Sequence, residues 1–128
     1  MIYFIGLDDT DNKESRGTGF KSRQLGKLIT EKKLGDVLSI SRHQLFVHNK
    51  IAYTSQNSSA CLVVDTEKPE LLKGFCAEYL KSVAETGSDA GLCFAHENQI
   101  SDEVLSWGNR AKKEVLYKSD AYTLAKTN

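Results

Sequence analysis

The chain has 128 residues, the size of one domain and enough to bury a core without disulfides or a structural metal. Its 17 basic and 17 acidic residues balance to zero net charge, which excludes a global basic field for nucleic acid; its 40% apolar and 27% charged residues are ordinary for a globular protein. No apolar run approaches the roughly 20 residues needed to span a bilayer, and the opening Met1-Ile2-Tyr3-Phe4-Ile5-Gly6 is too short and too soon acidic for a signal peptide. No membrane partner and a cytoplasmic location are therefore expected. The cysteines, Cys61, Cys76 and Cys93, are odd in number, widely spaced and form no CxxC. That argues against a disulfide framework or a zinc knuckle and for small buried thiols.

Residues 2–7 are short, apolar and rich in β-branched and aromatic types, as in a buried strand. Asp8-Asp9-Thr10-Asp11-Asn12 ends it, because no strand interior tolerates that run. Residues 13–19, with Ser15, Gly17 and Gly19, read as a loop. A helix is predicted from Thr18–Phe20 to about Lys33, with Leu25, Leu28 and Ile29 as its apolar stripe and Gly35 ending it. Val37 to Arg42 reads as a second strand, with Leu45-Phe46-Val47 as its extension or the start of an excursion. Residues 53–59 are polar and loop-like. Ala60-Cys61-Leu62-Val63-Val64 is a continuous apolar run expected in the sheet centre.

Pro69 opens the next helix at the position proline prefers, and Leu71, Leu72, Phe75, Cys76, Tyr79, Leu80 and Val83 follow at helical spacing. Residues 87–91 form a polar loop before a strand over Leu92–Ala95. Ser101 caps a helix whose first turn holds Asp102 and Glu103, favourable against the helix dipole, and which is expected to reach Lys113. Residues 114–117 read as one more short strand, and Ser119 caps a last helix. The order β-α-β-β-α-β-α-β-α predicts an α/β (α+β) fold, a mixed sheet flanked by helices, whose first six elements match the ferredoxin-like split βαβ arrangement. No repeat or linker divides it, so residues 1–128 are read as one domain.

Three features could carry chemistry. Asp8, Asp9 and Asp11 place three carboxylates within four residues, where mutual repulsion costs energy unless a cation offsets it. Hard oxygen ligands at the carboxyl end of a strand suit Mg²⁺; a solvated turn is the alternative. Gly17-Thr18-Gly19 stands at a helix start with Lys21 just inside, where close backbone approach and free N–H groups favour phosphate. The spacing fits neither a Walker A loop nor a dinucleotide fingerprint. The polar stretch Thr54 to Ser59, with Asn57, offers hydroxyls and amides to a base, ribose or phosphate, or is a plain surface loop. Arg42 and His43 follow as phosphate contacts, with His43 a candidate proton donor. His48 and His96 share no metal-ligand spacing with it.

The string Ile5-Gly6-Leu7-Asp8-Asp9-Thr10-Asp11-Asn12 resembles the opening of the archaeal tRNA-isoleucine agmatidine synthases. Weaker similarity continues through residues 51–60, 87–92 and 111–121. The resemblance implies an ATP-dependent, kinase-like N-terminal domain in which Asp8, Asp9 and Asp11 bind Mg²⁺ and phosphate and the loop around Asn57 faces the nucleotide. It departs at the family's phosphate-accepting threonine, where this sequence brings Phe20 or Lys21. No CxxC supplies the family's zinc ribbon, so a stand-alone relative of the kinase-like domain is the expectation.

Together these readings give an Mg²⁺-dependent ATP- or nucleotide-binding protein, read as a phosphotransferase or ATPase. Asp9 and His43 would be its catalytic residues; Asp8, Asp9 and Asp11 its metal ligands; Gly17, Thr18, Gly19, Lys21, Arg42 and Asn57 its nucleotide contacts. The alternative is a non-catalytic nucleotide- or anion-binding module, or a subunit of a larger complex. A nucleotide is the expected partner, RNA a weakly supported one, and a homodimer is left open.

Overall fold

A computed structural model describes residues 1–8, 18–46, 58–83 and 91–127. Strand β1 (Ile2–Asp8) leads to helix α1 (Thr18–Glu31), then strands β2 (Asp36–Gln44) and β3 (Ser58–Asp65), helix α2 (Pro69–Val83) and strand β4 (Gly91–His96). A single 3₁₀ turn (Glu97–Gln99) and helices α3 (Asp102–Ala111) and α4 (Lys118–Thr127) complete the described elements.

The strands form one sheet in the order β2-β3-β1-β4. Every neighbouring pair is antiparallel. Strands β1 and β2 run one way and β3 and β4 the other. Two βαβ crossovers therefore interleave: β1-α1-β2 steps over β3, and β3-α2-β4 steps over β1. This is the split arrangement expected for the first six elements.

Alternation along the strands explains which face is covered. Ile5 and Leu7 of β1 and Ala60, Leu62 and Val64 of β3 are buried on one face. Leu25 and Ile29 of α1 and Leu72, Cys76, Tyr79 and Leu80 of α2 complete that core. Each such aliphatic side chain contributes about 1.5–3 kcal/mol through burial. Ile2, Phe4, Cys61, Val63 and Ala95 fall on the other face and are only partly buried. Helix α3 leaves the β4 end of the sheet, capped by Ser101 Oγ, which accepts from Val104 N at 3.2 Å. At its far end Ala111 O accepts from Phe46 N, just beyond β2.

Several local expectations are corrected. Lys33, not Gly35, takes the left-handed conformation that ends α1 (φ 57°). Lys33 N donates to Thr30 O and Leu34 N to Ile29 O, the paired bonds of a Schellman cap. Gly35 answers a different need: a Cβ there would stand 2.7 Å from Val64 Cγ1 and 2.9 Å from Asp65 O. Strand β2 continues past Arg42 to Gln44, and β3 begins already at Ser58. Residues 115–117 carry no strand pairing, and the segment links α3 to α4. Of the thiols, only Cys76 is buried; Cys61 is partly buried and Cys93 exposed, because strand alternation turns both away from the helices.

Candidate functional site

The direction of each strand sorts the sheet into two ends. One end collects the carboxyl termini of β1 (Asp8) and β2 (Gln44), the amino termini of β3 (Ser58) and β4 (Gly91), and the amino end of α1 (Thr18). The described ends flanking residues 9–17, 47–57 and 84–90 all lie there. Of the residues singled out in the sequence, Asp9, Asp11, Gly17 and Asn57 lie outside the described residues. Asp8, Thr18, Gly19, Lys21, Arg42 and His43 lie on described elements at this end.

Asp8 is the last residue of β1, exposed and paired with Gly91 of β4. Its parity along β1 puts it on the face away from α1 and α2. His43 is paired with Ser59, and its Nε2 lies 2.9 Å from Ser41 Oγ in a shared hydrogen bond on that same open face. Ser59 follows Ser58 at the start of β3, and one register step beyond the Leu7–Ala60 pair sets it opposite Asp8. His43, Ser59, Asp8 and Gly91 thus form one row across the open face. A step spans about 4.5–5.5 Å, which leaves His43 and Asp8 roughly 10 Å apart at Cα. That gap admits a ligand between them rather than a direct bond.

Arg42, one residue earlier than His43, belongs to the opposite face. It is paired with Ala60 and shares its side of the strand with Ile40, which reaches the underside of α1 at Gly26. The structure therefore separates Arg42 from His43: the first faces α1, the second shares the open face with Asp8.

Helix α1 begins at Thr18, so Gly19 and Lys21 lie in its first turn as expected. Lys21 is only 5% exposed and Ser22 1%. This turn is tied down from α2. The Tyr79 hydroxyl, itself buried, lies 3.1 Å from Lys21 O and 2.5 Å from Gln24 Oε1, and donates its proton there. Burial pushes the Tyr79 phenol pKa up, so it stays a donor at neutral pH. Sequence reading placed Tyr79 in the apolar stripe of α2; a tyrosine among leucines is the one sign that a polar partner waits in the core.

Among the described residues, no three His, Cys, Asp or Glu side chains come together to hold a metal ion. Two of the three expected Mg²⁺ ligands, Asp9 and Asp11, lie outside those residues. The part of the donor set that is described, the Asp8 carboxylate, is exposed and chemically fits a hard cation.

No protein-family model matches this sequence, and no curated protein does. Solved structures do. The chain superposes on TiaS from its crystal complex with tRNA(Ile2) and ATP with a TM-score of 0.82 at 20% identity, covering 99% of this chain and 31% of TiaS. Apo TiaS, a tRNA(Ile2) agmatidine synthetase, gives 0.82 at 19% identity, and a tRNA fluorescent labelling enzyme gives 0.82 at 21%; each match covers 99% of this chain and 30% of the other. This chain has the fold of one part of TiaS. The family resemblance in Ile5 to Asn12 and the likeness of the folds point to the same enzymes. At these identities the likeness is one of fold, and the chain spans about a third of the length of the proteins it matches. No helix among the described residues is long and apolar enough to cross a membrane.

Proposed function

We propose that this chain binds a nucleoside triphosphate, ATP in the first instance, together with Mg²⁺ at the sheet end formed by Asp8, the first turn of α1 and the start of β3. The observation that carries the reading is convergence. Four described residues scattered in sequence, Asp8 ending β1, Thr18 opening α1, Ser58 opening β3 and Gly91 opening β4, all lie at one end of one sheet. The free N–H groups of a helix start favour phosphate, and a carboxylate such as Asp8 offers a hard oxygen ligand to the accompanying cation. Structures of TiaS with ATP support the same class of ligand on the same fold.

In this reading Asp8, Asp9 and Asp11 hold Mg²⁺, while Gly17, Thr18, Gly19 and Lys21 surround the phosphates. Asn57 faces the nucleoside. Mg²⁺ would neutralise charge on the terminal phosphates, the main electrostatic requirement of phosphoryl transfer. Asp9 and His43 are the groups for proton transfer, with His43 held by Ser41. Arg42, on the other face, serves as a phosphate contact only for a ligand that reaches over the edge towards α1.

A second reading, binding without turnover, is favoured by one observation. Where the resembling family has a phosphate-accepting threonine, this chain brings Phe20 or Lys21, and Lys21 is a buried amine with no hydroxyl to phosphorylate. RNA and a homodimer stand as further partners to be sought by the same binding experiments.

Thermal unfolding with ATP, Mg²⁺ and both tests the site. A ligand at a hundredfold excess over its dissociation constant stabilises the folded state by about 2.7 kcal/mol. The expected result is a rise that requires both and vanishes in the Asp8→Asn/Asp9→Asn double variant. No shift with any nucleotide, with a variant more stable than the parent, would leave the aspartates as a repulsive turn and refute the proposal. Phosphate release with His43→Ala then separates turnover from binding alone.

A further inference from the structure

A second constellation lies one row below Asp8 on the open face of the sheet. Register sets Cys61 of β3 and Cys93 of β4 on either side of Gly6 of β1, with Ser41 beyond Cys61. Gly6 presents no side chain between the two thiols. Cys93 leans into that gap: a Cβ built on Gly6 would meet Cys93 Cβ at 3.6 Å. Cys61 is the register partner of Gly6 on the other side. Its Sγ donates to the Leu62 carbonyl oxygen at 3.8 Å, and burial pushes its thiol pKa up. Neither thiol joins the packed core; Cys93 is exposed and Cys61 partly buried.

The spacing rules out a direct bond. Two strand steps separate the Cα atoms by roughly 10 Å, whereas a disulfide requires less than about 7 Å. A single bridging atom spans more: with metal–sulfur bonds of about 2.3 Å, the sulfurs of a two-coordinate ion stand about 4.6 Å apart. Zinc would require further ligands, and no third His, Cys, Asp or Glu joins the pair among the described residues. Thiolate pairs select soft monovalent cations.

We propose that Cys61 and Cys93 clamp one two-coordinate soft metal cation, of the Cu(I) class, above Gly6 on the open face of the sheet. Binding forms two metal–sulfur bonds, releases one proton from each thiol to solvent and changes no oxidation state. The buried Cys76, on the opposite face, takes no part. Because the protons must leave, affinity rises with pH.

The test is competition for Cu(I) between the reduced full chain and a chromophoric chelator under anaerobic conditions. One equivalent per monomer is expected, with Cys61→Ser and Cys93→Ser each weakening retention by at least about tenfold, about 1.4 kcal/mol. Gly6→Ala is the independent variant. Its methyl makes only ordinary contact with Cys93, so the fold survives, yet it fills the space between the sulfurs and weakens retention. It keeps the proposal falsifiable if Cys61→Ser fails to fold. Undiminished retention in Cys93→Ser or Gly6→Ala, a 1:2 ion-to-chain complex, or loss of all Cu(I) to the chelator would overturn it. None of these readouts involves a nucleotide.

Discussion

Gly26 and Gly35 each face a carbon 2.7 Å from where a Cβ would stand, yet alanine is expected to act in opposite senses at the two positions. At Gly26, in the middle of α1, the obstacle is Ile40 Cδ1, the terminal methyl of a side chain 38% exposed on an edge strand. That methyl can rotate away, and Leu62 Cδ2 at 3.5 Å is ordinary contact. Alanine is better than glycine inside a helix by about 0.5–1 kcal/mol. Gly26→Ala should therefore fall between neutral and about 1 kcal/mol stabilising. At Gly35 the obstacles are Val64 Cγ1 on a fully buried residue, the Asp65 carbonyl oxygen at 2.9 Å and Thr66 Cβ at 3.1 Å. None is the free end of a flexible chain. Thr66 is held in turn, its Oγ1 donating to Leu34 O at 2.7 Å and accepting from Lys68 N at 2.9 Å. Overpacking of this kind costs about 1–3 kcal/mol, offset by about 0.4–1 kcal/mol from the stiffer unfolded chain. Gly35→Ala should lose about 1–2 kcal/mol net. With an unfolding entropy near 2.1 cal/mol/K per residue, that lowers Tm by about 4–7 °C. Urea unfolding at 25 °C reads both variants on one scale. A Gly35→Ala variant as stable as the parent, or a Gly26→Ala variant losing more than about 1 kcal/mol, would refute the assignment of which neighbours can yield.

Three further expectations follow from the same geometry. Burial pushes the Cys76 thiol up to about 12 and raises the Tyr79 phenol, whereas an unfolded thiol ionises near 8.5. Above that lower value only the unfolded state loses the proton, so stability present at pH 7 drains away towards pH 12; by pH 10 the loss is about 2 kcal/mol. Equal urea midpoints at pH 7.5 and pH 10 would contradict it. Tyr79→Phe removes the hydroxyl shared by Lys21 O and Gln24 Oε1 and should cost about 1 kcal/mol, with faster amide exchange in the first turns of α1 than in α2; uniform exchange across both helices would show that the hydroxyl does not hold α1. Lys33→Gly relieves the left-handed backbone at the α1 cap and should stabilise by about 0.5–1 kcal/mol in thermal melts, a loss there showing that the lysine side chain outweighs its backbone strain.

The elements that were legible in sequence are those where one signal dominates. The α2 stripe repeats over four turns behind a proline, and the Cys61–Val64 run has no polar residue to contradict a central strand. The α1 boundary was misread because two glycine-like needs lie two residues apart. The cap requires a left-handed residue and receives Lys33, while the glycine serves a contact with β3 that no local pattern reveals. The strand expected at 114–117 failed for a similar reason: a short apolar run shows propensity, but a strand exists only where an edge accepts it. The cysteines were misplaced because apolar neighbours fix a strand but not which face each residue takes; only the register does that.

The candidate site shows the same division between local and non-local information. Composition identified the acidic run and the glycine pair separately, and neither was specific by itself. The antiparallel order β2-β3-β1-β4 brings the starts of β3 and β4 to the end where β1 finishes at Asp8 and α1 begins at Thr18. Strand parity then divides what sequence adjacency had joined. Arg42 and His43 are consecutive in the chain, but the pleat gives one to α1 and the other to Asp8. A ligand that engages Asp8 and His43 approaches from the open face, whereas one that engages Lys21 and Arg42 lies against the helix layer. A nucleotide whose metal-bound phosphates meet both groups must cross the sheet end, where Asp8 of β1 and the amino end of α1 converge.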